Sequence, residues 1–294
     1  MTQLWFKGLE PIPPPTHYDY DPSHLEYTGA GPLIVITKDQ LHPPMVDDLQ
    51  IWSDGRLWFK GAIRHTFEAA SICRLKPNQS VLDIGCGLGG PARVLVDCFN
   101  VRVTGISNCL QHIATGKLLN LKERNWKDRI QLICGDFMKE RFNQCYDCAW
   151  SMNMLYQISD HPHFLQRANQ VLKDRGILMV DDWMFTPRAS DADRNSFDQL
   201  FDGRLAVREE FVQQIAESGF RIREFVELGH VGRTHLATYF RGQYDLHFRD
   251  RVKELYGEHG RQIAEDFCND IETSISMYKA EKLTWVRLVA TKEN

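Results

Sequence analysis

Short apolar runs alternate with amphipathic segments along most of the chain. In the amphipathic segments apolar residues recur every three to four positions, whereas the runs have the length of buried strands. The pattern predicts a first strand that starts at Ser80 and six further strands over residues 101–106, 130–134, 146–151, 176–183, 221–228 and 283–291. It predicts helices over residues 62–75, 109–124, 162–173 and 209–218. Alternation of this kind is typical of an α/β fold with a doubly wound parallel sheet, because parallel strands are joined by crossover helices.

Glycines interrupt the chain directly after the first strand. In Val81–Gly90 an apolar run changes to closely spaced glycines, with Asp83 two residues before the first of them. Glycines at this spacing let the backbone pass close to a nucleoside-bearing cofactor. Because Gly85, Gly87 and Gly90 also fit the dinucleotide fingerprint, the flanking sequence has to distinguish the cofactors.

The ends of the next two strands make that distinction. A dinucleotide site needs an acid about 20 residues further on, at the end of the second strand, to hold the ribose hydroxyls. Here that strand ends in Ser107 and Asn108. The third strand ends in Asp136 and Phe137, a carboxylate beside a flat apolar ring, which suits the amine and the face of adenine. The pattern favours adenosine without a second nucleotide and so indicates an S-adenosylmethionine site.

Between about Ile63 and Phe185 the sequence resembles class I S-adenosylmethionine-dependent methyltransferases. The similar enzymes belong to the small-molecule branch of tocopherol, sterol, coclaurine N- and rebeccamycin-type sugar O-methyltransferases. The segments that carry the resemblance are residues 81–90, 104–108, 135–137, 150–152 and 171–180. The resemblance implies a Rossmann-like sheet of seven strands with the last one antiparallel, and S-adenosyl-L-methionine as the cofactor.

The resemblance also implies which residues bind the cofactor. The implied set lies on the glycine loop and at the ends of the strands: Asp83, Gly85, Cys86, Gly87, Gly89, Ser107, Asn108, Asp136, Phe137 and Ser151. Within it, Asp83 and the glycines bind the methionine part, and Asp136 with Phe137 binds the adenine. Many enzymes of this class carry an acid after the second strand for the ribose diol. This chain has none there, so the ribose partner stays open between Ser107 with Asn108 and, as an alternative, Gln111.

Two segments are predicted to cover the site. The chain divides into a proline- and aromatic-rich lid arm (1–62), a cofactor-binding core (63–230), a helical cap insertion (231–282) and a final core strand (283–294). The arm contains Tyr18, Tyr20 and Tyr27. These tyrosines either wall an apolar acceptor and face the sulfonium, as in similar enzymes, or simply anchor the arm.

The acceptor side is expected beyond the carboxyl ends of the strands, where ligands bind in open parallel sheets. The candidates there are Asn153, Gln157 and Trp183 for acceptor contacts, and Tyr156, Asp182 and His235 for catalysis. Similar enzymes carry a glutamate and a histidine where this chain has Asn153 and Gln157, and neither amide acts as a base near neutral pH. Tyr156 is a base, an orienting group or a packed aromatic. Asp181 and Asp182 point to opposite faces, so at most one enters the pocket, and capping with solvent exposure explains the pair equally.

These residues lead to a hypothesis about function. Without the two bases the site still aligns an acceptor that is already electron-rich, which favours methylation of oxygen or nitrogen on a largely apolar small molecule of secondary metabolism. Carbon methylation of an isoprenoid or indole-type skeleton is the nearest alternative. A catalytically inactive cofactor-binding scaffold and a nucleotide-dependent oxidoreductase are the alternatives from other classes.

Composition limits the partners. The 294 residues carry a formal net charge of -4, with an isoelectric point near 6.3, so nucleic acid is not expected as a partner. The predicted cap suits a small-molecule acceptor, because a larger substrate needs an open cleft. Because no apolar run reaches the length of a membrane span and Met1–Lys7 lack a signal-peptide core, a cytoplasmic protein is expected. The cysteines lie mostly in apolar patterns, and no metal is expected at Cys145 and Cys148, which have no second pair. Homo-oligomerisation stays open.

Overall fold

The structure is a computed structural model that describes residues 65–121, 124–201, 204–229, 265, 269 and 272–293. The elements, in chain order, are α1 (residues 65–73), β1 (Ser80–Ile84), α2 (Gly90–Phe99), β2 (Arg102–Ser107), α3 (Leu110–Asn120), α4 (Arg124–Arg129), β3 (Ile130–Cys134), β4 (Tyr146–Met152), a 3₁₀ turn (Leu155–Gln157), α5 (His161–Val171), β5 (Leu172–Phe185), α6 (Asp191–Phe201), β6 (Ala206–Val207), α7 (Arg208–Glu217), β7 (Phe220–Glu227), α8 (residues 272–279) and β8 (Leu283–Lys292). In the described part of the chain, no helix is long and apolar enough to cross a membrane.

The strands form one mixed sheet in the order β3-β2-β1-β4-β5-β8-β7, with the short β6 beside β5. The strands from β3 to β5 pair in parallel, and β8 runs antiparallel to both β5 and β7. The prediction of a doubly wound sheet of seven long strands with the last one antiparallel is confirmed. The strand order reverses between β1 and β4. The ligand site of an open α/β fold therefore lies beyond the carboxyl ends of these two strands.

Several elements differ from the prediction. The helix predicted over residues 109–124 corresponds to α3, which ends at Asn120, and the prediction contains no counterpart of α4. β5 begins at Leu172 rather than at residue 176, because Leu172 pairs with Tyr146 although the three residues after it are polar and exposed. α6 has no counterpart in the prediction. Among its described side chains only Phe197 is fully buried.

Three apolar clusters hold the layers together. Strand residues alternate between the two faces of the sheet, so Leu82 and Leu178 belong to one cluster and Val81 and Met179 to another. The third cluster lies where α6 and α8 meet the end of β5, and it is rich in aromatic residues: Phe185, Phe197 and Tyr278, with Tyr156 and Trp183 packed against it. It forms an apolar wall beside the carboxyl ends of β4 and β5.

The two predicted covering segments fall mostly outside the described residues. This holds for the whole arm over residues 1–62 and for most of the cap over residues 231–282. α8 lies inside the predicted cap, and β8 begins at the residue predicted for the final strand. The domain boundaries themselves stay predictions.

A buried ion pair joins β5 to β8. Asp181 and Arg287 are direct cross-strand partners with 0% and 3% of their surface exposed. The Arg287 Nε–H donates to Oδ2 of Asp181 at 2.5 Å, His65 of α1 contacts Oδ1 at 2.8 Å, and Trp285 donates its indole N–H to Oδ1. Burial by itself raises the pKa of Asp181, but His65 and Arg287 outweigh it and hold the pKa well below its usual range. Asp182 is also fully buried, so the expectation that solvent exposure explains this acid pair is wrong.

We expect Asp181→Ala to lower the free energy of unfolding by about 3 to 5 kcal/mol, because it leaves the Arg287 guanidinium buried without its counter-charge. The double variant Asp181→Leu with Arg287→Met removes both charges and is expected to recover most of that loss. Urea unfolding followed by circular dichroism measures both variants. If the double variant is as unstable as the single one, the uncompensated charge is not the source of the loss.

Candidate active site

The glycine loop between β1 and α2 is shaped by left-handed backbone angles. The angle φ is 74° at Gly85, 53° at Gly87 and 82° at Gly89, a region that glycine enters without strain. The N–H groups of Gly85 and Cys86 donate to the carbonyl of Ile106 at 2.9 and 3.0 Å. These bonds tie the loop to the end of β2, next to the point where the strand order reverses.

Two glycines of this loop differ in what surrounds them. A Cβ atom at Gly85 would lie 2.0 Å from Cγ of Met154, so this position has no room for a side chain. A Cβ atom at Gly87 would meet no atom within 4 Å. Because the backbone there is both left-handed and bare, Gly87 offers the close approach that a nucleoside-bearing cofactor needs.

Two polar side chains beside the loop are buried without a partner. Asp83 of β1 is 2% exposed, and among the described residues its Oδ2 has no hydrogen-bond partner. Burial raises the pKa of Asp83 to about 7. Ser151, at the end of β4, is fully buried, and its hydroxyl has no partner within the same residues. Buried polar atoms of this kind are normally satisfied by a ligand or an ordered water, so both fit a cofactor held at Gly87.

The residues predicted to hold the nucleoside lie at the ends of β2 and β3. Ser107 is buried and its hydroxyl accepts a backbone N–H two residues further on at 3.3 Å, whereas Asn108 is exposed. Oδ1 of Asp136 accepts the Met138 N–H at 2.9 Å, and Oδ2 lies 3.0 Å from Nζ of Lys139. Burial by itself raises the pKa of Asp136, but Lys139 and the Met138 N–H outweigh it and lower the pKa. The carboxylate is therefore an ionised acceptor.

Phe137 lies on the same turn but belongs to the core. It is 6% exposed, its ring centre lies 5.6 Å from that of Phe164, and the Arg167 guanidinium lies 5.7 Å from its ring centre. The backbone of Gln111 belongs to the first turn of α3, while its side chain is outside the described structure. The adenine and ribose contacts expected of these two residues stay predictions.

The segment after β4 contains two of the predicted acceptor contacts, Asn153 and Gln157, and the predicted catalytic residue Tyr156. Asn153 has a left-handed backbone with a φ of 52°, donates its N–H to the carbonyl of Asp181 at 2.8 Å and exposes its side chain. Gln157 is exposed and donates from Nε2 to the Tyr156 hydroxyl at 3.0 Å. Burial raises the pKa of Tyr156, so its phenol is neutral near pH 7. The segment offers amides and a neutral phenol, none of which is a strong base.

Asp182 holds this segment from beneath. Its Oδ2 accepts the N–H groups of Met154 and Leu155 at 2.7 and 2.6 Å, and its Oδ1 accepts the N–H of Trp183 at 2.8 Å. Burial raises the pKa of Asp182 to about 7 in spite of these bonds. Both oxygens are engaged by backbone donors and the side chain is fully buried. This geometry lets Asp182 position the segment after β4, and the catalytic role expected of it stays a prediction.

Trp183 and Tyr278 belong to the third apolar cluster, which forms the apolar wall beside this segment. The ring centre of Trp183 lies 5.8 Å from that of Trp285 and 6.3 Å from that of Phe197. Tyr278 is 4% exposed, and its hydroxyl has no hydrogen-bond partner in the described part of the chain. Burial raises the pKa of Tyr278 far above its usual value, and the charge of Asp182 raises it further.

Sequence reasoning missed several residues that the structure brings to this edge or behind it. They are His65, Arg93, Tyr278 and Arg287. None of them belongs to a motif, and their contacts depend on elements far apart in the chain. The predicted candidates Tyr18, Tyr20, Tyr27 and His235 lie outside the described residues.

Comparison with models of protein families identifies the family of this chain. The model of mycolic acid cyclopropane synthetase matches residues 62–287, which include the glycine loop, the strands from β1 to β7 and the first half of β8. The chain belongs to this family. The assignment argues against the nucleotide-dependent oxidoreductase that the glycine loop alone leaves open.

Curated relatives of the family match over part of their length. The chain is 29% identical over 133 residues to sterol 24-C-methyltransferase ERG6B of Gibberella zeae. The aligned residues make up 45% of this chain and 35% of that protein. The chain is 28% identical over 178 residues to 27-O-demethylrifamycin SV methyltransferase of Amycolatopsis mediterranei, which covers 57% of this chain and 64% of that protein. The chain thus spans about a third to two-thirds of the length of these relatives.

A solved structure shares the fold. Geranyl diphosphate C-methyltransferase from Streptomyces coelicolor A3(2), in complex with S-adenosyl-L-homocysteine, superposes with a TM-score of 0.66 at 14% identity, over 86% of this chain and 84% of that one. The predicted family of class I S-adenosylmethionine-dependent small-molecule methyltransferases is confirmed, together with its fold and its cofactor.

We expect Asp83 to make the stability of the cofactor-free protein depend on pH. The folded pKa of Asp83, about 7, lies above the ordinary carboxyl value, so the folded state keeps a proton that the unfolded state loses between about pH 4 and pH 7. As the pH rises through this window, the wild-type chain therefore loses roughly 2 to 4 kcal/mol relative to Asp83→Asn. Urea unfolding of both chains across the window measures the difference. A difference that does not change with pH would contradict the raised pKa.

Proposed function

We propose that the protein transfers a methyl group from S-adenosyl-L-methionine to a carbon atom of a largely apolar, unsaturated small molecule with an isoprenoid-type skeleton. The observation that carries methyl transfer is the bare, left-handed backbone at Gly87 in a chain of this family. The choice of carbon is supported by the similarity to a sterol C-methyltransferase and by the match to cyclopropane synthetases.

The residues around the glycine loop suit each part of the cofactor. The backbone from Gly85 to Gly89 and the free oxygen of Asp83 would hold the methionine part. Ser107 and Asp136 would hold the nucleoside, because an ionised carboxylate accepts hydrogen bonds from an amine. When bound, S-adenosyl-L-methionine supplies a methyl group activated by the charge of its sulfonium. The work of the chain is then to orient the acceptor against that methyl group and to exclude water.

Methylation of an alkene suits a site lined by amides and aromatic rings. The reacting carbon would supply its own electron pair to the new bond while the bond between the methyl group and sulfur breaks and S-adenosyl-L-homocysteine leaves, so no base is needed before the transfer. The carbocation left on the acceptor is strongly acidic, so it would then lose a proton to a weak base such as the neutral Tyr156 hydroxyl, and from there to water. Asn153 and Gln157 are available to orient the acceptor. The rings of Tyr156 and Trp183 are available to stabilise the positive charge that develops on it, since aromatic faces attract cations. The lack of a glutamate and a histidine at positions 153 and 157 is therefore no argument for oxygen or nitrogen.

A second candidate is methylation of a hydroxyl or an amine, and similarity to 27-O-demethylrifamycin SV methyltransferase over 57% of the chain favours it. A hydroxyl must lose its proton as the new bond forms. On the segment after β4 the side chain available for this task is Tyr156, and burial keeps its phenol neutral. Because a neutral phenol is a weak base, the alkene acceptor fits this segment better.

We expect Gly87→Val to abolish measurable binding of S-adenosyl-L-homocysteine, because the new side chain fills the space in front of the loop. Gly219→Val is the matched control: Gly219 has a left-handed φ of 77° at the turn between α7 and β7, so a comparable backbone penalty of about 1 to 2 kcal/mol arises away from the site. Titration calorimetry measures both variants. Wild-type affinity in Gly87→Val would remove the cofactor site from this loop, and equal losses in the two variants would point to backbone strain.

We expect a carbon-13-labelled methyl donor to leave its label on carbon when the protein is offered apolar alkenes. Two-dimensional NMR of the product separates a methyl group on carbon from one on oxygen or nitrogen by its chemical shift. Label on oxygen or nitrogen would establish the second candidate instead. A chain that binds S-adenosyl-L-homocysteine but transfers nothing to alkenes, alcohols or amines would be the inactive scaffold considered above.

A further inference from the structure

A fully buried arginine lies directly behind the glycine loop. Arg93, in the first turns of α2, is 0% exposed. One nitrogen of its guanidinium, Nη2, donates to the carbonyl of Leu88 at 2.8 Å and to the carbonyl of Gly116 at 3.2 Å. A charge taken out of water is costly, so a buried guanidinium persists only where its hydrogen bonds hold it.

The two carbonyls belong to the two sides of the cofactor site. Leu88 is part of the glycine loop, and Gly116 lies in α3, the helix that follows Ser107 and Asn108. The two segments also touch directly, because a Cβ atom at Gly116 would lie 2.6 Å from the Leu88 carbonyl oxygen. Arg93 therefore joins the loop assigned to the methionine part to the helix that begins at the ribose side.

The Arg93 guanidinium also contacts an aromatic ring of a second helix. It lies 5.5 Å from the ring centre of Trp126 in α4, within reach of a cation–π interaction. The indole N–H of Trp126 donates to the carboxylate of Asp97, with both oxygens at 2.9 Å, and Asp97 lies one turn after Arg93 on α2. Residues of two helices, α2 and α4, therefore surround the Arg93 side chain.

We propose that Arg93 is a positioning residue: through the Leu88 and Gly116 carbonyls it fixes the glycine loop against α3 and so sets the affinity for the nucleoside cofactor without contacting it. The inference rests on the proposed cofactor site. It goes beyond that site because it assigns the shape of the loop to a residue outside it. Two kinds of change should then weaken binding: removal of the guanidinium, and widening of the contact between α3 and the loop.

The test is titration calorimetry with S-adenosyl-L-homocysteine on folded protein. We expect Arg93→Met to raise the dissociation constant by about 10-fold or more, because the loop loses a charge-assisted hydrogen bond. Arg93→Lys keeps the charge and one donor, so its dissociation constant should fall between those of wild type and Arg93→Met. Gly116→Ala keeps Arg93 but presses on the Leu88 carbonyl, and it should also weaken binding.

Asn169→Ala is the control for a general loss of stability. Asn169 bridges α5 to the carbonyls of Ser218 and Gly219 on the far side of the protein, at 2.9 and 3.5 Å, so its loss should lower the melting temperature and leave the dissociation constant within about 2-fold of wild type. Wild-type affinity in folded Arg93→Met overturns the inference. If that variant does not fold, wild-type affinity in both Arg93→Lys and Gly116→Ala overturns it. A wild-type chain that binds no S-adenosyl-L-homocysteine refutes the cofactor site itself, and the inference with it.

Discussion

Two adjacent carboxylates buried in β5 organise the acceptor side of the site. Because neighbouring residues of a strand face opposite sides of the sheet, Asp181 and Asp182 need separate sets of partners. Burial raises the pKa of both acids. At Asp181 the contacts with His65 and Arg287 outweigh burial and the pKa falls, whereas at Asp182 the backbone N–H groups do not outweigh it and the pKa rises to about 7. The first acid fixes α1 and β8, and the second fixes the segment after β4. One strand therefore places three otherwise independent parts of the chain around the same edge.

The same constraint reaches the cofactor side. Asp182 accepts the Met154 N–H, and the Met154 side chain fills the space that a Cβ atom of Gly85 would need. A side chain at Gly85 would therefore displace Met154 and, with it, the segment that Asp182 holds. Gly85 and Gly87 are glycines for different reasons: the first is packed against the acceptor segment, and the second leaves space for a ligand. The cofactor loop and the acceptor segment thus share one packing arrangement.

Local patterns in the sequence predict the sheet, the glycine loop and the position of Asn153, because each depends on residues close together in the chain. Other parts of the site depend on long-range pairing. Arg287 contacts His65, which lies 222 positions earlier in the chain. Tyr278 belongs to the apolar wall, and it comes just before β8, which pairs with β5. No local pattern contains this information. Sequence reasoning also drew too much from the amides at positions 153 and 157, since the electrons for a new bond can come from the acceptor rather than from a base.

The way the acids are held also suits an alkene acceptor. A free carboxylate beside an activated methyl group would be a competing nucleophile, and it would bind water that an apolar acceptor has to exclude. Among the described residues at the ends of β4 and β5, the carboxylates of Asp181 and Asp182 are both buried and engaged, one by His65 and Arg287 and one by backbone donors. What the segment presents instead is an amide at Asn153, a neutral phenol at Tyr156 and the indole of Trp183. Ring faces and amide oxygens stabilise positive charge on an acceptor. Unlike a free carboxylate, neither group competes with the acceptor for the methyl group.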